Sequence, residues 1–163
     1  MKQILPLILI LFLSAAFLGG CKKDPLYYGV NPVGALPENP TKDKLKNNSQ
    51  YLAVLHANLF QQAISANEML EIGRVVQGIG DKGLAYELVV SNFMNKPGVI
   101  LPSEQDMRAD PEAFIKETYE RFFVRKPLPI ELAWFQDYLE NNPDVTPELV
   151  YLAFAISDEY FYY

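Results

Sequence analysis

The sequence predicts an all-α protein, a small bundle of about five to six helices behind a proline-rich tether. Three observations carry that expectation. Apolar residues recur at three- and four-residue steps through most of residues 42–163. Cap-and-proline signals such as Asp110-Pro111-Glu112 and Thr146-Pro147-Glu148 punctuate the same region. The ten-residue alternating segments of a β-barrel are missing.

The chain opens with Lys2, followed by an almost wholly apolar run from Ile4 to Phe17. A charge, an apolar run and then small residues form the layout of a secretory signal. The run is shorter than the roughly 20 residues a comfortable spanning helix needs. It ends Leu18-Gly19-Gly20-Cys21, which resembles the lipobox of bacterial lipoproteins. The resemblance implies cleavage after residue 20, a diacylglyceryl thioether on Cys21 and acylation of the new amine. Membrane lipid is then the first partner, reached through acylated Cys21. Two or more acyl chains hold a protein stably, at about 0.8 kcal/mol per buried methylene. The competing reading is a plain spanning anchor with an incidental cysteine. Cys21 is the single cysteine of the chain, so a mature protein has neither a disulfide framework nor thiol chemistry.

Twenty acidic and fourteen basic residues give a formal charge of −6. An acidic domain argues against nucleic acid, whose binders carry a basic face. Lys22 follows the cysteine where the familiar sorting rule places Asp for inner-membrane retention. That likeness favours the outer membrane, with the domain on its periplasmic or its outer face. Pro25, Pro32, Pro37 and Pro40, with Gly29 and Gly34, then deny regular structure through residues 22–41. A tether of that length, fully extended, reaches roughly 60 Å at about 3.1 Å per residue.

The helical domain, residues 42–163, reads as two halves, 42–96 and 110–163, joined by a loop. In the first half Leu45, Leu52, Leu55, Leu59 and Ala63 make an amphipathic stripe. Ser65-Ala66-Asn67-Glu68 reads as a capping box, opening a helix through Met69, Ile72, Val75 and Val76. The spacing leaves open whether residues 43–77 bend at Ser65 or run on as one helix. Gly78-Ile79-Gly80 ends this segment. Asp81 caps a third helix carrying Leu84, Leu88, Phe93 and Met94, closed before Pro97. Val99-Ile100-Leu101 reads as an extended loop tucked against the helices, and Glu104 to Asp110 as exposed and polar.

The second half holds 13 of the 21 aromatic residues, so the core is expected to be densest there. Phe114, Ile115, Thr118, Tyr119, Phe122 and Phe123 share one helical face. Glu131 to Leu139 forms a short helix, with Leu132, Phe135 and Leu139 on one side and Trp134 and Tyr138 beside them. A last helix runs from Pro147 through Val150, Tyr151, Phe154 and Ser157. Tyr160-Phe161-Tyr162-Tyr163 closes the core and offers an exposed patch.

Chemistry-bearing residues are sparse. His56 is the only histidine, and a metal site needs three or four convergent ligands. It reads as structural, and no cofactor is implied. Glu68 and Glu71 read as cap and dipole partners near a helix start rather than an acid–base pair. No catalytic set, phosphate-binding glycine loop or metal cluster stands out, so no enzymatic activity is assigned. Arg121 and Arg125, one helical turn apart, have two readings. They pair with Glu131 or Glu159 to hold helix junctions, or they form an anion pocket for a sugar acid or phosphate. The candidate ligand-binding set is Arg121, Arg125, Glu131 and Trp134.

Phe114-x4-Tyr119-x-Arg121-x3-Arg125-x-Pro127-x3-Glu131, with Thr146-Pro147-Glu148 and Ser157-x-Glu159-Tyr160, resembles a helical module of some large bacterial envelope proteins. That module often accompanies c-type cytochrome domains. The haem-binding part is absent here, so the resemblance implies no redox role. The function expected from the sequence is an interaction or accessory subunit of a cell-envelope complex, with a protein partner. The alternative is an envelope binding protein for a small anionic ligand or glycan.

Overall fold

The computed structural model describes residues 42–162. The signal, Cys21 and the tether lie outside the described residues. So does Tyr163. The fold is an all-α bundle of eight helices among the described residues. They are α1 Asn48–Phe60, α2 Ala66–Gly78, α3 Lys82–Met94, α4 Glu104–Ala109, α5 Pro111–Phe123, α6 Pro129–Asn141, α7 Pro147–Ala155 and α8 Asp158–Phe161. No helix among them is long and apolar enough to cross a membrane.

Local chemistry sets the boundaries. Asn47 and Gln50 form the reciprocal capping box at the start of α1. The helix stops at Gln61, which turns left-handed at φ 52°. Residues 43–77 therefore hold two helices rather than one. At α2 the expected box is half made. Ser65 Oγ accepts the Glu68 N–H at 3.3 Å, but the Glu68 carboxylate turns to the Lys96 ammonium instead. Asp81, Asp110 and Thr146 each cap the helix assigned to them. Pro111, Pro129 and Pro147 sit at first helical positions, where no N–H is required.

Both halves build one continuous core, and its buried apolar residues divide evenly between them. The expected bias towards the aromatic half is absent because α1 and α3 supply aromatics to the same centre. Tyr51 stacks on Phe161 at 5.0 Å and meets Tyr160 edge-on at 5.6 Å, while Tyr86 also packs on Phe161. Tyr119, Phe122 and Phe123 surround Phe154 in the same way. Tyr51 is fully buried, and its hydroxyl donates to the Ala155 carbonyl at 3.0 Å. A buried tyrosine needs such a partner.

Five expectations require correction. Leu45 is exposed because it precedes α1 and forms an isolated antiparallel bridge with Tyr162. Leu84, Leu88 and Val75 are also exposed. Helix α3 is apolar on more than one side, so its period does not choose a face, and Tyr86, Val89, Val90 and Phe93 take the core. Glu104 to Asp110 is largely exposed, as expected, but residues 104–109 form a helix rather than a loop. Ser103 caps the six-residue α4, whose Met107 is fully buried. Between Val99 and Leu101, which pack on the core, Ile100 points outward while its N–H donates to the Leu59 carbonyl at 2.8 Å. The last helix does not run through Ser157. It ends at Ala155, Ser157 Oγ donates back to the Phe154 carbonyl at 2.7 Å, and α8 restarts at Asp158.

Candidate functional site

The break at Ser157 brings Glu159 and Tyr160 to opposite tasks. Tyr160 enters the core fully buried, and its hydroxyl accepts from the Asn58 amide at 3.0 Å. Glu159 turns to Arg125, which leaves the C-terminal end of α5 just past the left-handed Val124. Arg125 Nε and Nη2 donate to the two Glu159 oxygens at 2.7 and 2.8 Å. Its Nη1 and Nη2 donate to the two Glu131 oxygens, both at 2.8 Å. The remaining Nη1 hydrogen reaches the Lys126 carbonyl at 3.2 Å. All five guanidinium donors are thus engaged, two forks against two carboxylates. The guanidinium also lies over the Tyr119 ring at 4.9 Å.

This knot ties three elements. Glu131 Oε2 accepts the Leu128 N–H at 2.6 Å, fixing the start of α6. Glu159 also accepts from Lys42 at 2.9 Å, fixing the lead-in to α1. Hydrogen bonds from Arg125 hold the Glu131 carboxyl below the usual range despite its partial burial. At Glu159 burial pushes the other way, but bonds from Arg125 and Lys42 prevail and the carboxyl is again lowered. The two carboxylates raise the Arg125 pKa further. Tyr119, beneath the knot, is pushed up to about 12 by burial and by Glu131.

Arg121 takes no part in the knot. Its Nη1 donates to the Ile100 carbonyl at 3.0 Å, and its guanidinium lies 5.4 Å from the Tyr151 ring centre. Arg121 and Arg125 instead share the wall of a hollow of about 640 Å³. Val54, Phe122, Phe123, Val124 and Leu128 supply its apolar wall. Lys42, Lys46, Arg121, Arg125 and Lys126 contribute five cations, against the single lining carboxylate of Glu159. Counting Glu131 with the knot, two carboxylates balance Lys42 and Arg125. Arg121 and Lys126 make no ion pair among the described residues. In a chain of charge −6 this local excess of positive charge stands out.

Lys46 is buried beside the hollow. Its ammonium donates to the Tyr160 carbonyl and, at 2.7 Å, to the Tyr162 carbonyl. Burial and the nearby Lys42 lower its pKa to about 8.

Trp134 lies elsewhere. The inner face of α6 belongs to Leu132, Phe135 and Leu139. Trp134 therefore sits on the outer side, more than half exposed, stacked on Tyr138 at 5.2 Å. The structure thus brings Arg121 and Arg125 together at the hollow, sets Glu131 behind Arg125, and leaves Trp134 out. Sequence reasoning missed Lys42, Lys46 and Lys126, which come from the tether's end and the α5–α6 turn.

His56 is nearly buried. Its Nδ1 lies 2.9 Å from the Gln62 carbonyl, its ring stacks on Phe60, and its Nε2 is 4.0 Å from Glu68. No group of three or more His, Cys, Asp or Glu side chains suited to a metal ion occurs among the described residues. Glu71 is exposed on α2.

No protein-family model, curated protein or solved structure matches the chain.

Proposed function

We propose that this chain is a lipid-anchored lipoprotein of the outer membrane whose helical domain binds a small anionic ligand. The observation that carries the binding role is the hollow beside α5. Its volume falls within the range of about 300–1,000 Å³ usual for small-molecule sites, and its apolar wall with a few charged groups has the usual make-up. The excess charge of Arg121 and Lys126 selects for an anion. The anchor rests on the likeness of Leu18-Gly19-Gly20-Cys21 to a lipobox.

Thermal-shift measurements with galacturonate, inorganic phosphate and short- and long-chain carboxylates test the binding role. A ligand that raises the melting temperature, with the shift lost in Lys126→Gln, supports it. Indifference to every anion overturns it. Radiolabelled fatty acid tests the anchor separately. Label that persists in Cys21→Ala rejects the lipidation site.

A second reading, an interaction subunit of an envelope complex, draws on α6. Ile130, Trp134 and Tyr138 recur at four-residue steps and are all exposed, an apolar stripe of the kind found at protein interfaces. A stoichiometric protein recovered from mildly solubilised membranes with the natural chain, and lost with Trp134→Ala, supports this reading. Recovery of the chain alone in several detergents counts against it.

A further inference from the structure

The hollow's lining narrows the class of anion. A sugar acid or a phosphate ester of a sugar presents hydroxyls around its whole rim and needs a polar partner for most of them. The wall offers few. The Asn58 amide is already committed to Tyr160, and Glu159 is held by Arg125 and Lys42. The remaining polar side chains of the lining are the five cations and Tyr162, but apolar atoms make up most of its exposed surface, and two apolar side chains are left open to water: Val124 is 86% exposed and Leu128 55%. Val124 is also the cap of α5 and holds a left-handed φ of 55°, a conformation that a β-branched residue resists. An apolar side chain thus stands out over the hollow's edge, where a polar or glycine cap is the ordinary choice. The charges of Arg121 and Lys126, which make no ion pair among the described residues, belong to the same lining. Charge and apolar surface therefore act on one occupant.

Resting on the ligand-binding reading, we propose that the ligand is a single-chain anionic lipid, a fatty carboxylate or its monoacyl phosphate counterpart. Arg121 and Lys126 hold the head group by charge-assisted hydrogen bonds. The chain lies along Phe123, Val124 and Leu128 and shields them from water. Binding then strengthens with chain length. Full burial of a methylene corresponds to about a fourfold gain in affinity, and a half-open hollow yields roughly twofold.

The test uses the full chain in lipid nanodiscs and a dodecanoate carrying a photoreactive diazirine on its chain, with empty nanodiscs as background. Labelling is expected on the 121–128 segment. Competition by octanoate, decanoate and dodecanoate is expected to improve about twofold or more per methylene. Labelling should fall at least tenfold in the Arg121→Gln/Lys126→Gln double variant. Lys126→Gln alone, at an exposed position with no ion pair among the described residues, should weaken it severalfold with the melting temperature unchanged. A flat chain-length series overturns the lipid assignment. If galacturonate or phosphate still raises the melting temperature in a Lys126-dependent way, the anion-binding role survives that failure. If no anion of any length binds, both fall. Equal competition by dodecyl maltoside, which has the chain and no charge, overturns the anionic head group.

Discussion

At the scale of single residues, Arg125 decides most. Its two forks hold α5, α6 and α8 in register, and its side chain is four-fifths buried. Removing it leaves Glu131 and Glu159 half-buried without their main partner. Arg125→Met is expected to cost about 3 kcal/mol, seen as a lower urea midpoint. Arg125→Lys should recover little of this, because a point charge cannot serve two carboxylates bidentately. The pH dependence follows from the same contacts. Both carboxyls are held below the ordinary range in the folded state. Their contribution is complete above the unfolded value of about 4.3 and is lost as pH falls through the lowered folded values. Arg125→Met should flatten that acid slope. Sequence could name the two candidate carboxylates of Arg125. It could not show that both are used, because that depends on the break at Ser157, which carries no proline or glycine to announce it. Val124 makes a second prediction at this scale. Its left-handed φ costs a β-branched residue about 1–2 kcal/mol, and its exposed side chain loses little packing on removal. Val124→Gly is therefore expected to stabilise the fold by about 1 kcal/mol, after the entropy that glycine adds to the unfolded chain. Calorimetric melting checks the sign.

At the scale of elements, the helices with long apolar periods and explicit caps were legible. Asp110-Pro111, Thr146-Pro147 and Asp81 each open the helix expected of them. Short α4 was not, because six residues give the period less than two turns in which to show itself. Its Ser103 cap and buried Met107 are visible as a pattern only once the following Asp110-Pro111 is seen to start another helix. The element's main contribution is also illegible in sequence. Arg108 donates to the carbonyls of Leu139, Asn142, Pro143 and Val145. These are groups that the end of α6 and the turn after it leave without helical partners, and a cation there also suits the helix dipole. Arg108→Ala is expected to cost about 2–3 kcal/mol. It should raise hydrogen exchange chiefly at residues 139–146. An equal rise across the whole molecule would mean that Arg108 acts on global stability rather than on this junction.

At the scale of the whole domain, the segment entering α1 and the last residues after α8 clasp each other. Lys46 N–H donates to the Phe161 carbonyl at 2.8 Å, and its ammonium reaches the Tyr160 and Tyr162 carbonyls. Beneath the clasp lie Tyr51, Tyr86 and Tyr160 of the shared core; the sequence pattern marked Tyr160 as core closure without showing that both halves meet there. The packing sets an alkaline signature of two opposing signs. Lys46, lowered to about 8, holds its proton less well folded than unfolded, where lysine titrates near 10.4. Between those values the unfolded chain binds more protons, so stability rises with pH. Tyr51, Tyr86, Tyr119, Tyr151 and Tyr160 are all raised above 10, in each case chiefly by burial. Above pH 10 the unfolded tyrosines ionise while the folded ones keep their protons, so stability falls. One lysine set against five tyrosines gives a shallow rise from about pH 8 to a little above 9, then a steep decline through pH 10. Urea midpoints measured from pH 7 to 11.5 should trace that shape. Lys46→Met is expected to abolish the rise and leave the decline. Tyr51→Phe should soften the decline and leave the rise, at the cost of the hydrogen bond to Ala155. A flat response above pH 10 would mean that the tyrosines are less buried than the clasp requires, because their folded and unfolded titrations would then coincide.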